Sequence, residues 1–473
     1  MARTNKGKAG ASAKSRLEHD PRLSAEEAEA FVTALKERGI QNAKIGAFDV
    51  DGILRGKYVS LAKLTGALKK GFGFCDVVFG WDVTDTLYDN AKVTGWHTGY
   101  PDALTLLDPT TTRDIPWEPG VVAMLGDFRG NDGRGHPGCG RSLLRRVVRK
   151  AEALGFEPLV GVEFEFFLFQ ETPQSLQEKG FRGMTPADPG MFGYSWLRTG
   201  QEPELMASVL RELAAYGLPL EGFHTETGPG VYEAALQVDS AMRAADKAAL
   251  FKTALKEVVR RHGLVATFMA KWSAELPGCS GHLHQSLVQN GKNVFFDPRA
   301  PRGMSKIMKS YMAGQLKLMR EFTALYSPTV NSYKRYVPGL WAPLFPSWGV
   351  ENRTCALRVV GLGEANSQRV EYRQTAADIN PYIAIAASIA AGLHGVEQGL
   401  ELQAEAVGDP GVEGERLPTT LREATELLGK SRLARRWLGE DFVDHYVRSR
   451  DWECRAYEQS VSDWELRRYF EII

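Results

Sequence analysis

Residues 160–169, VGVEFEFFLF, carry two glutamates inside an apolar run. The short length and β-rich composition predict a strand, and side chains two apart on a strand share a face. Glu163 and Glu165 then point the same way, on a strand without lysine or arginine of its own. Two like charges held close push one pKa up unless a cation intervenes, so this pair asks for a metal ion.

Four further stretches place polar groups where packing alone does not require them. In LEGFHTETGPGVYEAAL, 220–236, Glu221, Glu226 and Glu233 bracket a Gly-Pro-Gly turn, and carboxylates on either side of a tight loop can converge on one ion. In GCSGHLHQSL, 278–287, His282 and His284 alternate and can face one side of a strand, in a spacing that suits metal or phosphate contact. NSYKRYVPGLWAP, 331–343, is a basic loop with Lys334 and Arg335; by itself it reads as solvated surface. In RVEYR, Arg369, Glu371 and Arg373 share one strand face, and Arg353 and Arg358 lie upstream in VENRTCALRVV. This pattern suits either a surface ion-pair ladder or a wall of guanidiniums around anionic oxygens, which arginine grips bidentately. Together the stretches offer hard oxygen ligands in excess, which select Mg²⁺ or Mn²⁺ over zinc. Metal plus arginines is the machinery of phosphoryl transfer.

The elements that must position these groups follow from periodicity and punctuation. SAEEAEAFVTALKER, 24–38, predicts a helix capped by Ser24, and 45–60 predicts two strands around Asp51-Gly52. Small strands and loops are expected over 71–125. The segment 127–140, DFRGNDGRGHPGCG, is the clearest break in the chain and is expected to divide it. A basic amphipathic helix over 141–155 follows, its arginines read as a solvated face. Later helices are expected over 239–262, 304–326 and 381–400, with strands at 264–270, 282–288, 355–360 and 368–374. The mixed order indicates an α+β fold. No GxxxxGK[ST] phosphate loop is present.

Composition narrows the function classes. The chain has 473 residues, 43% hydrophobic and 25% charged, with 58 basic and 58 acidic side chains. That is a soluble globular profile with no electrostatic reason to expect nucleic acid or an anionic membrane as partner. The basic start, residues 1–20, lacks the apolar core of a secretory signal and is expected to be a disordered tail. Five scattered cysteines, without CxxC spacing, fit a reducing cytoplasm and no zinc site.

In order and spacing these motifs resemble glutamine synthetase, from about residue 25 to the end and most densely over 137–400. The resemblance implies a small N-terminal β-grasp domain over 21–126 and a large catalytic domain over 137–473 built on a curved antiparallel sheet. It also implies a homo-oligomeric ring, usually a dodecamer, with active sites between subunits. Carried over by position, Glu165, Glu226 and Glu233 match the ligands of one metal, and Glu163, His282 and Glu371 those of a second. Glu221, His284, Ser286, Arg358 and Arg369 match positions around ATP. Gly278, Arg335, Arg353 and Arg373 match positions that hold glutamate or the transferring phosphoryl group. The implied chemistry is ATP-dependent phosphorylation of the glutamate γ-carboxylate, followed by attack of an amine on the acyl phosphate.

Three departures cluster on the ammonium side. The family's glutamate two residues after the flap Pro-Gly is here Trp341, following Pro338-Gly339-Leu340. The Asp-Gly-Ser-Ser segment is replaced by FCDVVFGW, 74–81, with Asp76 a shifted equivalent, and the asparagine before Gly278 is Pro277. Metal and phosphate groups are retained while ammonium groups are not. This pattern points to a γ-glutamyl-amine ligase, in which Trp341 walls the pocket for a small amine larger than ammonia. An ordinary ammonia-using glutamine synthetase and a non-catalytic structural relative are the alternatives. The second is disfavoured because all six metal positions keep ligand side chains.

Overall fold

The computed structural model describes residues 20–130, 132–410 and 414–473. The basic tail expected over 1–20 therefore lies outside the described residues, apart from Asp20.

The first helix, Ala25–Glu37, begins with a capping box: the Ser24 side chain accepts from the Glu27 backbone N–H, and the Glu27 side chain accepts from that of Ser24. Strands Asn42–Phe48 and Leu54–Ser60 form the hairpin expected around Asp51-Gly52. They belong to a six-stranded sheet in which Asn42–Phe48 also pairs, in parallel, with Val121–Arg129. That last strand runs into the segment expected to be loop, because Leu104–Leu107 offers it four antiparallel partners as far as Arg129. The two helices Ala25–Glu37 and Leu61–Lys70 cover one side of this sheet with Val32, Leu35, Leu64 and Leu68.

The larger sheet has ten strands, all paired antiparallel except Trp348–Val350 against Leu357–Val360. Its centre is Glu157–Phe169, which pairs over 157–164 with Gly281–Gln289 on one side and over 163–167 with Val231–Leu236 on the other. The alternation explains the strand: Val160, Val162, Phe164, Phe166 and Leu168 are buried. Phe164 and Phe166 meet Phe251 and Phe268, the former on helix Ala241–Arg260. Losing one such ring from a packed core costs about 3–5 kcal/mol. The same core takes in Phe48, Val50 and Leu125 from the first sheet, so the two sheets share packing.

Helix Pro381–Gln398 crosses helix Lys306–Leu318 closely. A Cβ on Gly395 would lie 1.9 Å from the Ser310 carbonyl, and one on Gly314 2.2 Å from that of Ala391. Asn380 caps the longer helix by accepting from Tyr382 N–H, and its amide donates to the carbonyls of Asp49 and Val50 in the first hairpin. Several expected elements are shorter than their sequence pattern, and two of them show the cause. The helix expected over 304–326 is two helices, Lys306–Leu318 and Thr323–Tyr326, because the Thr323 hydroxyl donates to the Met319 carbonyl and accepts from Gln374. The strand expected over 264–270 is Val265–Thr267, ended where Thr267 Oγ1 accepts the Met269 N–H. All five cysteines are free. Among the described residues no helix is long and apolar enough to cross a membrane.

Candidate active site

Strand register assembles the site. With the even positions of Glu157–Phe169 turned into the core, Glu163 and Glu165 face the other way. Glu165 lies opposite Glu233, and Glu163 opposite His282. His284 lies opposite Glu371, which lies opposite Arg358 on the next strand. Five adjacent strands thus present one row of acids, imidazoles and guanidiniums. The row floors a cavity of about 640 Å³ that also holds Glu226, Gly278, Arg335, Arg353, Arg369, Arg373, Pro277, Leu340 and Trp341.

Most of the residues expected at the site meet here. Glu221 and Ser286 do not line the cavity: Glu221 sits on an exposed β-bulge, and Ser286 lies one strand repeat beyond His284. Lys334, read from its loop as solvated, is exposed and lies over the Tyr457 ring. Asp76 is buried elsewhere and accepts from the Thr94 hydroxyl at 2.6 Å, so this chain does not present it to its own cavity. Two lining residues carried no signal in the sequence motifs. His224 lies 3.3 Å from Glu233 and 3.7 Å from Glu226; its place two residues before Glu226 on a strand is the spacing that could have revealed it. Tyr194 comes from a glycine-rich loop with no periodicity to read.

The electrostatics are those of a cation cradle. Ligand atoms of Glu163, His284 and Glu371 lie within 4.8 Å of one another, as do those of Glu163, Glu233 and His282, and of His224, Glu226 and Glu233. Glu163 reaches His284 at 3.0 Å and His282 at 3.2 Å. Burial opposes its charge, yet the two imidazoles more than offset this and hold its carboxyl well below the usual range. Glu165 has one backbone donor, Ser280 N–H at 2.6 Å. Burial, reinforced by Glu233 and Glu226, pushes its carboxyl up. A carboxylate in that state is relieved by a divalent ion, and an oxygen-rich set with one or two imidazoles suits Mg²⁺ or Mn²⁺. The donor set fits such ions.

The arginine wall is tied into the same row. Arg358 and Arg373 reach opposite oxygens of Glu371 at 3.0 and 2.5 Å. Arg369 Nε donates to His284 Nδ1 at 3.0 Å, which leaves Nδ1 as the acceptor nitrogen. Arg335, buried, donates to Ser280 Oγ at 2.9 Å and to the Gln374 carbonyl. Gly278 makes room for it: a Cβ there would stand 2.7 Å from Arg335 Cγ.

A sheet-floored cavity with clustered carboxylates, histidines and arginines is a site for divalent cations and anionic oxygens, and the comparisons name the family. Residues 137–469 match the model of the glutamine synthetase catalytic domain, and the chain belongs to the glutamine synthetase family. It is 52% identical to a type-1 glutamine synthetase of Dictyostelium discoideum, over 91% of this chain and 84% of that one. It is 39% identical to the γ-glutamylethanolamide synthetase GlnA4 of Streptomyces coelicolor, over 95% and 96% of the two chains. It is 36% identical to a glutamate–isopropylamine ligase of a Pseudomonas species, over 93% and 97%. Among solved structures, apo GmaS superimposes with a TM-score of 0.81 at 27% identity, over 93% of this chain and 99% of that one.

Proposed function

We propose that the protein is an ATP-dependent γ-glutamyl-amine ligase, joining the γ-carboxylate of glutamate to a primary amine. The observation that carries this reading is the asymmetry of the cavity. Its acid–imidazole–guanidinium row is complete, while the flap carries Trp341 where the family has a glutamate. Two relatives that align with nearly the whole chain are named for amine ligation, which supports the same reading.

In this reading Arg335, Arg353 and Arg373 hold glutamate and the transferring phosphoryl group, while His284, Arg358 and Arg369 face ATP, with Glu221 and Ser286 at its outer margin. A γ-carboxylate oxygen attacks the terminal phosphorus of ATP and ADP leaves. The amine nitrogen then attacks the acyl carbon of γ-glutamyl phosphate, the C–O bond to phosphate breaks, and inorganic phosphate departs. Two Mg²⁺ or Mn²⁺ ions, when bound, neutralise the phosphate oxygens. Glu165, Glu226 and Glu233 would hold one, and Glu163, His282 and Glu371 the other. The guanidiniums offset charge on the group in flight. The chain divides into a smaller unit, 21–126, and a catalytic unit, 137–473, and works as a cytoplasmic ring of twelve copies.

The 52% identical relative is named a glutamine synthetase, which favours ammonia as a second reading. A steady-state panel separates them: with ATP, Mg²⁺ and glutamate, alkylamines are expected to exceed ammonia in kcat/KM. Ammonia as the best acceptor would overturn the proposal.

A further inference from the structure

The turn that carries Arg335 into the cavity is anchored on both of its sides. It starts at Thr329 and passes through Asn331 into the short 3₁₀ helix Ser332–Arg335. Thr329 and Ser332 both donate their hydroxyl protons to Asp378 Oδ2, each at 2.8 Å. With those protons committed, each hydroxyl oxygen accepts the other residue's backbone N–H at 3.1 Å. One carboxylate thus orients both hydroxyls, and the turn they close ends at Arg335.

Asp378 is itself fixed by its neighbours in the chain. Ala377 N–H donates to the Cys279 carbonyl at 3.1 Å, and Lys252 Nζ, from helix Ala241–Arg260, donates to the Ile379 carbonyl at 3.0 Å. Burial pushes the Asp378 carboxyl up, against the pull of the Ser332 and Thr329 hydroxyls and of the Lys252 and Arg335 charges.

The other side of the turn grips the loop that bears Pro277 and Gly278. Asn331 Oδ1 accepts the Lys271 N–H and its Nδ2 donates to the Lys271 carbonyl, both at 2.8 Å. That loop closes where Cys279 N–H donates to the Ala270 carbonyl at 2.8 Å and Lys271 Nζ donates to the Leu276 carbonyl. Pro277, Gly278 and Arg335 all line the cavity, and Arg335 donates onward to Ser280 Oγ. Turn and loop form one corner of the site.

We infer that Asp378 is the positioning residue of this corner, setting the Arg335 guanidinium against the substrate carboxylate through Thr329 and Ser332. This rests on the reading above in which Arg335 holds glutamate. A guanidinium displaced by a fraction of an ångström loses its two-pronged grip on a carboxylate. His284, Arg358 and Arg369 lie on strands of the large sheet, so the nucleotide side keeps its geometry when the turn relaxes.

The test uses the full-length protein with Mg²⁺, reading ADP release while glutamate and ATP are varied in turn. The acceptor is whichever of ethylamine and ammonium chloride is turned over faster. Asp378→Ala is expected to lower kcat/KM for glutamate roughly 10- to 100-fold through KM, with the KM of ATP changed by less than about twofold. Asp378→Asn, whose amide oxygen can accept from both hydroxyls, is expected to return to within about threefold of wild type. Ser332→Ala removes one donor and leaves the carboxylate. It is expected to raise the glutamate KM in the same direction and to add nothing to Asp378→Ala, and it carries the test if Asp378→Ala does not fold. Glutamate and ATP KM rising together in these variants would make Asp378 a support of the fold alone and overturn the inference. An unchanged glutamate KM in them would do the same. Arg335→Lys separates the two readings: it is expected to raise the glutamate KM about tenfold or more. If it does not, Arg335 does not hold glutamate and the underlying reading fails. An effect in Arg335→Lys without one in Asp378→Ala or Ser332→Ala refutes the positioning role only.

Discussion

Glu165 is the residue at which local physics and function meet most directly. It sits beside Glu233 and near Glu226, with one backbone donor and a carboxyl pushed up by burial. An ion-binding role makes a specific demand on it. Glu165→Gln keeps the size and the Ser280 contact but removes the charge. It is expected to weaken Mn²⁺ binding at least tenfold by calorimetric titration, while thermal stability holds or rises because a buried carboxylate repulsion is gone. Unchanged Mn²⁺ affinity would remove Glu165 from the metal site. Residue types at this scale were legible in the sequence: EFE, HLH and RVEYR each showed alternation that places like groups on one face. Their pairing was not. Glu163 lies opposite His282 and within ion-pair distance of His284 as well, so one carboxylate bridges positions that family resemblance assigns to metal and to ATP.

The strands present the site, and what lies behind them keeps it rigid. On strand Gly281–Gln289, Gln285 faces away from the histidines into a fully buried network: its carbonyl accepts from Tyr311 and Gln315, and its amide donates to Ser388. That network ties the strand to helices Lys306–Leu318 and Pro381–Gln398, whose glycines touch at Gly314 and Gly395. Gly395→Ala forces a methyl against the Ser310 carbonyl and is expected to lower stability by about 1–3 kcal/mol or more, read as a fall in the denaturant midpoint. A neutral Gly395→Ala would mean that the helices can slide apart without loss. The sequence pattern indicated both helices. It overran the end of the first because Thr323 diverts its hydroxyl to Met319, a competition decided by Gln374 from a distant strand.

At the scale of the whole molecule, one buried cluster joins the first sheet to the catalytic helices. Arg141 donates to Asp127 on strand Val121–Arg129, to Asp108 just after strand Asp102–Leu107, and bidentately to Asp246 of helix Ala241–Arg260. Tyr382 also donates to Asp246 at 2.6 Å. Burial opposes the charge on Asp127, yet Arg141 and Arg145 hold its carboxyl well below its ordinary 3.8, and Asp108 is lowered in the same way. A carboxyl depressed in the fold takes up its proton first in the unfolded chain. Its stabilisation is therefore complete above about pH 4 and is lost as pH falls toward the folded value. Arg141→Met leaves Asp246 without its cation and Asp127 and Asp108 with Arg145 alone, and is expected to cost about 3–5 kcal/mol at neutral pH. Its denaturation midpoint should also depend less steeply on pH below about 4 than that of the wild type. A variant of wild-type stability would show that the cluster does not hold the two sheets together.

By itself the sequence determined the chemistry on offer and the local elements that carry it. Strand alternation, helix caps and Gly-Pro turns are short-range, and acids, imidazoles and arginines at strand spacing announce a cation and an anion side by side. The changed flap at Trp341 was legible for the same reason, since a substitution inside a motif is visible as text. Only the tertiary structure decided which strand lies beside which, and so which carboxylate meets which histidine. It alone brought in His224 and Tyr194, left Glu221 and Ser286 outside the cavity, and took Asp76 away from it. These depend on register between segments more than a hundred residues apart, as Glu163 opposite His282, and on backbone bent by distant hydrogen bonds. No local pattern encodes either.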